Sequence, residues 1–212
     1  MIVKIDSTAD MARDDASRGG GPSRRSVVLA SGAAVVAATP LLRRLAGLGD
    51  AAAAPSRAQD AQILQLVLQL EHTQVAFYED ALRQASLDAE LNTFARTALD
   101  HERQHLAAIE KALGGKKGPT PKFDFGDKTK SAAAFTKAAI QLEDIAVAGY
   151  NGQAGNLTKS TLAAAAEIVS VEARHAAWVR ALAGQVAAPE PVDKPLTAKA
   201  VAQGLREIGL RA

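Results

Sequence analysis

Leu70-Glu71-His-Thr-Gln-Val-Ala-Phe-Tyr78 and Leu142-Glu143-Asp-Ile-Ala-Val-Ala-Gly-Tyr150 decide how this chain folds. The second stretch repeats the first, matching it at Leu, Glu, Val, Ala and Tyr. A second pair accompanies them at nearly the same separation: Glu102-Arg-Gln-His105 and Glu172-Ala-Arg-His175. The order along the chain is Glu, Glu-x-x-His, Glu, Glu-x-x-His. Four helices packed as a bundle can point six such groups at one interior spot, where they would hold two metal ions.

The periodicity around these motifs is helical. A first helix is predicted from about Asp60 to Gln84, with Leu64, Val67, Leu68, Glu71, Val75, Tyr78 and Leu82 on its inner face. A second runs from about Asp88 to Leu113, turning Phe94, Ala95, Ala98, Glu102, His105, Leu106, Ile109 and Leu113 inward, and Gly114-Gly115 ends it. The third starts near Ser131 and ends between Asn151 and Gly155, presenting Phe135, Ala139, Leu142, Glu143, Ala146 and Tyr150. The fourth runs from Ser160 or Thr161 to Ala183, with Leu162, Ala165, Val169, Glu172, His175, Ala176 and Val179 inward. After Pro189, Pro191 and Pro195 a short helix is expected from about Thr197 to Ile208.

Short connections make helices 1–2 and 3–4 antiparallel hairpins. The linker from Gly114 to Lys130 can extend to roughly 55 Å, whereas a 22-residue helix is about 33 Å long. It therefore reaches across the bundle and sets helix 3 parallel to helix 2. Glu71, Glu102, Glu143 and Glu172 each stand near the midpoint of a predicted helix. All four carboxylates fall in one central layer.

A lone ionised carboxylate in an apolar interior costs several kcal/mol, so four together require protons or cations. Two divalent ions cancel four carboxylates in formal charge. Residues three apart on a helix share a face, so each Glu-x-x-His brings a carboxylate and an imidazole to one volume. Oxygen-rich ligation with one His per ion suits two Fe or two Mn ions better than a structural zinc site.

At these residues the chain resembles the ferritin-like di-metal carboxylate superfamily, whose all-α fold is a four-helix bundle with a long helix 2–3 crossover. Together with the leader described below and Pro195-Leu196-Thr197, these residues look more like the exported bacterial ferritin-like domain proteins, some called desiccation-related. The resemblance implies metal ligands at Glu71, Glu102, His105, Glu143, Glu172 and His175. Glu102 and Glu172 would bridge both ions, Glu71 and Glu143 would be terminal, and each His would serve one ion. In several relatives an Asp precedes the motif Glu and orients a ligand His; here His101 and Val171 stand at those positions.

Residues 1–54 read as a leader. Ser23-Arg24-Arg25-Ser26 precedes an apolar run of about 16 residues to Leu42, and small residues Ala51 to Ala54 follow. The twin arginines resemble the Tat export signal. The run is short for a membrane span, which needs roughly 20 apolar residues, so a cleaved signal and a mature form that does not span a membrane are expected. Tat export machinery is then a partner, and the periplasm or bacterial cell envelope the destination. From Pro55 onward the chain carries 18 Lys+Arg and 18 Asp+Glu, a balance that gives no basic stripe for nucleic acid. Cysteine is absent, which removes disulfides, thiolate ligands and Cys nucleophiles.

The domain reading is thus residues 1–54 as signal, 55–185 as bundle and 186–212 as a C-terminal extension. Functionally, the expectation is a di-iron or di-manganese protein reacting with oxygen or peroxide under oxidative or metal stress, as a ferroxidase or peroxide-reactive oxidoreductase. The alternative is a non-catalytic metal-binding or stress-protection protein of the envelope; iron storage in a shell, with the last helix as a fifth bundle helix, is a third reading. A homodimer is compatible with the first two readings, whereas a mature particle of one or two chains would remove the third. Tyr78 and Tyr150 are read as core residues whose hydroxyls reach a partner. Trp178 is read as packing, His72 and His101 as flanking or surface residues, Glu79 as pointing off the site, and the lysines from Lys116 to Lys130 as a solvated crossover.

Overall fold

The computed structural model describes residues 54–115 and 121–211. The leader to Ala53, with its Tat and cleavage readings, and Lys116 and Lys117 lie outside the described residues. Four long helices form: α1 (Arg57–Gln84), α2 (Ala89–Ala112), α3 (Ala132–Gln153) and α4 (Lys159–Leu182), followed by a shorter α5 (Ala198–Ile208). Among the described residues no helix is long and apolar enough to cross a membrane.

Local chemistry sets the starts. Ser56, Asp88, Ser131 and Thr197 each accept the backbone N–H three residues ahead with their side chains, satisfying a donor that the first helical turn leaves unpaired. Thr158 starts α4 without such a bond. Its cap comes from another helix. The carboxylate of Asp60 on α1 accepts from the Thr158 N–H (2.9 Å), the Thr158 hydroxyl (2.5 Å) and the Thr161 hydroxyl (2.7 Å). Burial would raise the Asp60 pKa, but these donors outweigh it and hold it below the ordinary value. The contribution to stability is therefore present above the unfolded carboxylate pKa and is lost as pH falls through the lower folded one. Asp60→Ala is expected to cost about 2 kcal/mol at neutral pH. Thermal melts at pH 7 and pH 3 check this: the gap between wild type and variant shrinks in acid.

Helix α1 packs on α2 and α3, and α4 packs on α3 and α2, leaving α2 and α3 on a diagonal. Direction follows from the contacts. Tyr78 meets Glu143 while Tyr150 meets Glu71, so α1 and α3 are antiparallel. With α1 also antiparallel to α2, helices α2 and α3 run the same way, as the linker length predicts. The crossover carries a two-residue strand β1 (Lys122–Phe123), which pairs antiparallel with β2 (Leu210–Arg211), and a 3-10 turn at Gly126–Thr129. The C-terminus thus pins the crossover, a feature with no trace in the helical periodicity.

The two ends of the bundle differ. All five phenylalanines sit at one end, where Phe77 stacks on Phe135 (5.6 Å) and Phe94 meets Trp178 edge-on (5.4 Å). At the other end α4 stands off. No residue from Lys159 to Val171 is buried, and a cavity of about 220 Å³ opens between Ile63, Val67, Ile109, Tyr150 and Ile168. This corrects the expected inner face of α4: Leu162 is 38% exposed, and Ala165 and Val169 are only half-buried. The face of α1 is likewise rotated. Leu70, Gln74 and Phe77 are fully buried while Leu64, Val75 and Leu82 are half-buried, because α1 is covered by α2, α3 and α5 together.

Helix α5 buries Val201, Leu205 and Ile208, lying along α3. The segment before it crosses α3 at Gly152, where a Cβ would come 1.9 Å from the Leu196 carbonyl oxygen. Leu196 donates its N–H to the Ala148 carbonyl at 2.9 Å, so backbone meets backbone there. Gly152→Ala must displace the segment, and is expected to lose about 3 kcal/mol. Faster proteolysis near Pro195 at unchanged helical content would show it.

Candidate metal centre

Each of the six predicted ligands is buried at the middle of the bundle. Glu71, Glu102, Glu143 and Glu172 are fully inaccessible, while His105 and His175 are 8% and 2% exposed. They converge as two overlapping groups: Glu71, Glu102, His105 and Glu172, and Glu102, Glu143, Glu172 and His175. In each group one ligand atom per residue lies within 4.8 Å of all the others. Glu102 and Glu172 belong to both, which is the arrangement a bridging role requires.

Both imidazoles turn Nδ1 inward. His105 Nδ1 lies 2.9 Å from Glu102 Oε2, 2.9 Å from Glu172 Oε1 and 3.6 Å from Glu71 Oε2. His175 Nδ1 lies 3.0 Å from Glu102 Oε1 and 3.5 Å from Glu143 Oε2. Proximity here is not satisfaction. Glu71 Oε2, Glu102 Oε1, Glu172 Oε1 and His175 Nδ1 are buried and lack an aligned hydrogen-bond partner. Such orphans each cost about 1–3 kcal/mol unless something else coordinates them. Four of them on the predicted ligands, all aimed at one volume, fit a cation site. The buried Glu and His groups can hold metal ions.

The electrostatics agree with that fit. Burial raises the Glu71 pKa to about 7, against the pull of His105, and raises that of Glu172 well above its usual value, Glu102 adding to it. Burial would also raise Glu102, but His105 and His175 bring it to about 2. The imidazoles respond in the opposite sense: burial would lower them, yet the carboxylates beside them raise His105 to about 12 and His175 to about 10. Without cations, protons on the imidazoles balance the cluster. Ligands must lose those protons to bind metal, so affinity rises with pH.

A ring of donors holds the carboxylates. The Tyr150 hydroxyl donates to Glu71 Oε1 at 2.5 Å, and the Tyr78 hydroxyl donates to Glu143 Oε1. Both tyrosines therefore fill the core with a polar tip on a partner, as expected, and the partner is a site carboxylate. Burial and the neighbouring carboxylates raise both phenol pKa values well above 10, so the hydroxyls stay protonated donors.

Two further residues, not read from the sequence as parts of the site, join it. Gln74, fully buried, donates from Nε2 to Glu172 Oε2 (2.8 Å) and Glu143 Oε2 (3.4 Å). Its signal is present in the sequence, as a polar residue one turn past Glu71 inside the repeated stretch. His101 stands outside both ligand groups, as a flanking residue would, yet it touches one of the ligands. Its Nδ1 lies 2.9 Å from His175 Nε2, and the two rings stack at 5.2 Å and 14°. Its position next to Glu102 on the helix sets the half-buried His101 against α4 at the rim of a cleft. Burial and nearby His175 lower its pKa. The contact engages His175 through Nε2, on the far side of the ring from the Nδ1 that faces the carboxylates.

His72 is not among the converging groups, and Glu79 pairs with Arg103 at 2.8 Å on the surface. Trp178 packs on Phe94 and also borders a cleft of about 430 Å³ with His101, Gln104, His105, Val171, Arg174 and His175. Both ligand imidazoles border this cleft.

A diagonal crossover within four helices, around a buried carboxylate and imidazole core, defines a ferritin-like protein. A family model of the ferritin-like domain matches residues 59–185, more than half of the chain, and the chain belongs to that family. Comparison with curated proteins gave no match.

Proposed function

We propose that this is an exported dinuclear metalloprotein of the ferritin-like family that reacts with oxygen or peroxide. The observation that carries the reading is the pair of overlapping ligand groups sharing Glu102 and Glu172, with unsatisfied atoms on both shared carboxylates. Glu71, Glu102, His105 and Glu172 would hold one ion; Glu102, Glu143, Glu172 and His175 the other. Iron or manganese suits this oxygen-rich set and would supply one-electron redox chemistry. The chain's own residues do the rest. Tyr78, Tyr150 and Gln74 fix the carboxylates, the aromatic end excludes water, and the His-lined cleft admits small oxidants.

The leader complements this. A Tat substrate folds in the cytoplasm, where it could acquire its ions before reaching the envelope.

Metal analysis of the purified, folded chain supplied with iron and manganese is expected to give two ions per chain. Far less than one ion per chain would overturn the reading. Oxidation of many Fe(II) per chain by oxygen or peroxide is expected; metal-dependent melting with no turnover would favour the non-catalytic alternative.

A further inference from the structure

The internal repeat provides its own control. The alignment that sets Glu71 on Glu143 relates α1 to α3, and the one that sets Glu102 on Glu172 relates α2 to α4. On that correspondence the ligands match, and so do the tyrosines that donate to Glu71 and Glu143. Two contacts break the match. Gln74 corresponds to Ala146, and His101 to Val171. Neither Ala146 nor Val171 has a side chain that can hydrogen-bond.

Both unmatched contacts reach the half served by Glu143 and His175, and Gln74 reaches the shared Glu172 as well. His101 holds the outer nitrogen of His175, and Gln74 holds Glu143 together with the shared Glu172. On the other half, Val171 stands at the position that would back His105 with an imidazole, and among the described residues the donor to Glu71 from outside the ligand set is Tyr150. Gln74 is fully buried while its Oε1 has no partner. Packing alone would not favour a buried amide with an unpaired carbonyl, so its place is explained by what Nε2 holds.

Resting on the dinuclear reading above, we propose that the two metal positions are unequal, and that Gln74 and His101 make the one served by Glu143 and His175 fill first. They are positioning residues, acting through ligands they orient. Loss of such a partner typically weakens metal binding about 10–100-fold, so a separation of the two steps by about 10-fold or more is expected.

The test is anaerobic titration of the full chain with Fe(II), followed by calorimetry and by Mössbauer spectra of samples with one and two equivalents of iron-57. Wild type is expected to bind in two steps at least about 10-fold apart, with one equivalent giving a single quadrupole doublet. Q74A/H101V, which copies Ala146 and Val171 into the first half, is expected to merge the steps and show both doublets at one equivalent. H101V alone, at the cleft, should narrow the gap, and serves if the double variant does not fold. H105A should keep the tight step and H175A should lose it. Two ions of equal affinity in wild type, or a tight step lost in H105A and kept in H175A, would overturn this inference while leaving the dinuclear reading intact. Binding of no iron would overturn both.

Discussion

Glu102→Ala is expected to remove both bound ions, whereas Glu71→Ala removes one. The difference comes from membership: Glu102 is common to the two ligand groups, and Glu71 belongs to a single group. Glu102 also stands 2.9 Å from the His105 Nδ1 and 3.0 Å from the His175 Nδ1, so its loss strips each imidazole of its nearest or joint-nearest carboxylate. Metal analysis after loading should fall from two ions per chain to none in Glu102→Ala and to one in Glu71→Ala. Melting gives an independent readout. A ligand that binds only the folded state at 100 times its Kd adds about 2.7 kcal/mol, so chelation should lower the wild-type Tm and leave that of Glu102→Ala unmoved. Equal metal loss in both variants would show that Glu102 is not shared.

Phe135→Ala should be the most destabilising single change at the aromatic end. Phe135 has no exposure and lies at the centre of a cluster, stacked on Phe77 at 5.6 Å, edge-on to Tyr78 at 6.0 Å and tilted against Phe94 at 6.4 Å. Deleting a buried ring typically costs about 3–5 kcal/mol, through lost transfer energy and the cavity left behind. For a domain of this size that lowers Tm by about 10 °C. The same change reaches the metal centre, because Tyr78 leans on Phe135 and donates to Glu143. Fe(II) affinity should fall along with the urea midpoint. Phe123→Ala, at the half-buried crossover ribbon, should cost less and leave the metal affinity unchanged. If the two variants are equally stable, the cluster is not the anchor described.

Legibility in the sequence depends on whether the information is local. Helix existence, the starts near Asp88 and Ser131 and the termination at Gly114 follow from residues within a few positions of each other, and the structure agrees to within three residues at the predicted starts of the four long helices. The crossover follows from chain length against helix length. The six converging side chains are legible because the sequence repeats them, and because their equal depth puts them in one layer whichever way the helices run.

Other features have no local signature. Asp60 looks like an ordinary acid in a first helical turn, yet it caps a helix 98 residues away. The standing-off of α4, the pinning of the crossover by β2 and the docking of the C-terminal segment on Gly152 depend on which surfaces meet. His101 escapes a sequence reading for the same reason: its angle from Glu102 says where a side chain does not point, and only the neighbouring helix says what it touches.

The sequence by itself determined an all-α chain with a repeated carboxylate and imidazole set, because periodicity and spacing are properties of one helix at a time. Only the tertiary structure decided that Glu102 and Glu172 stand in both ligand groups, which donors hold the carboxylates and where Gln74 and His101 touch the site. Those are distances between helices, set by packing.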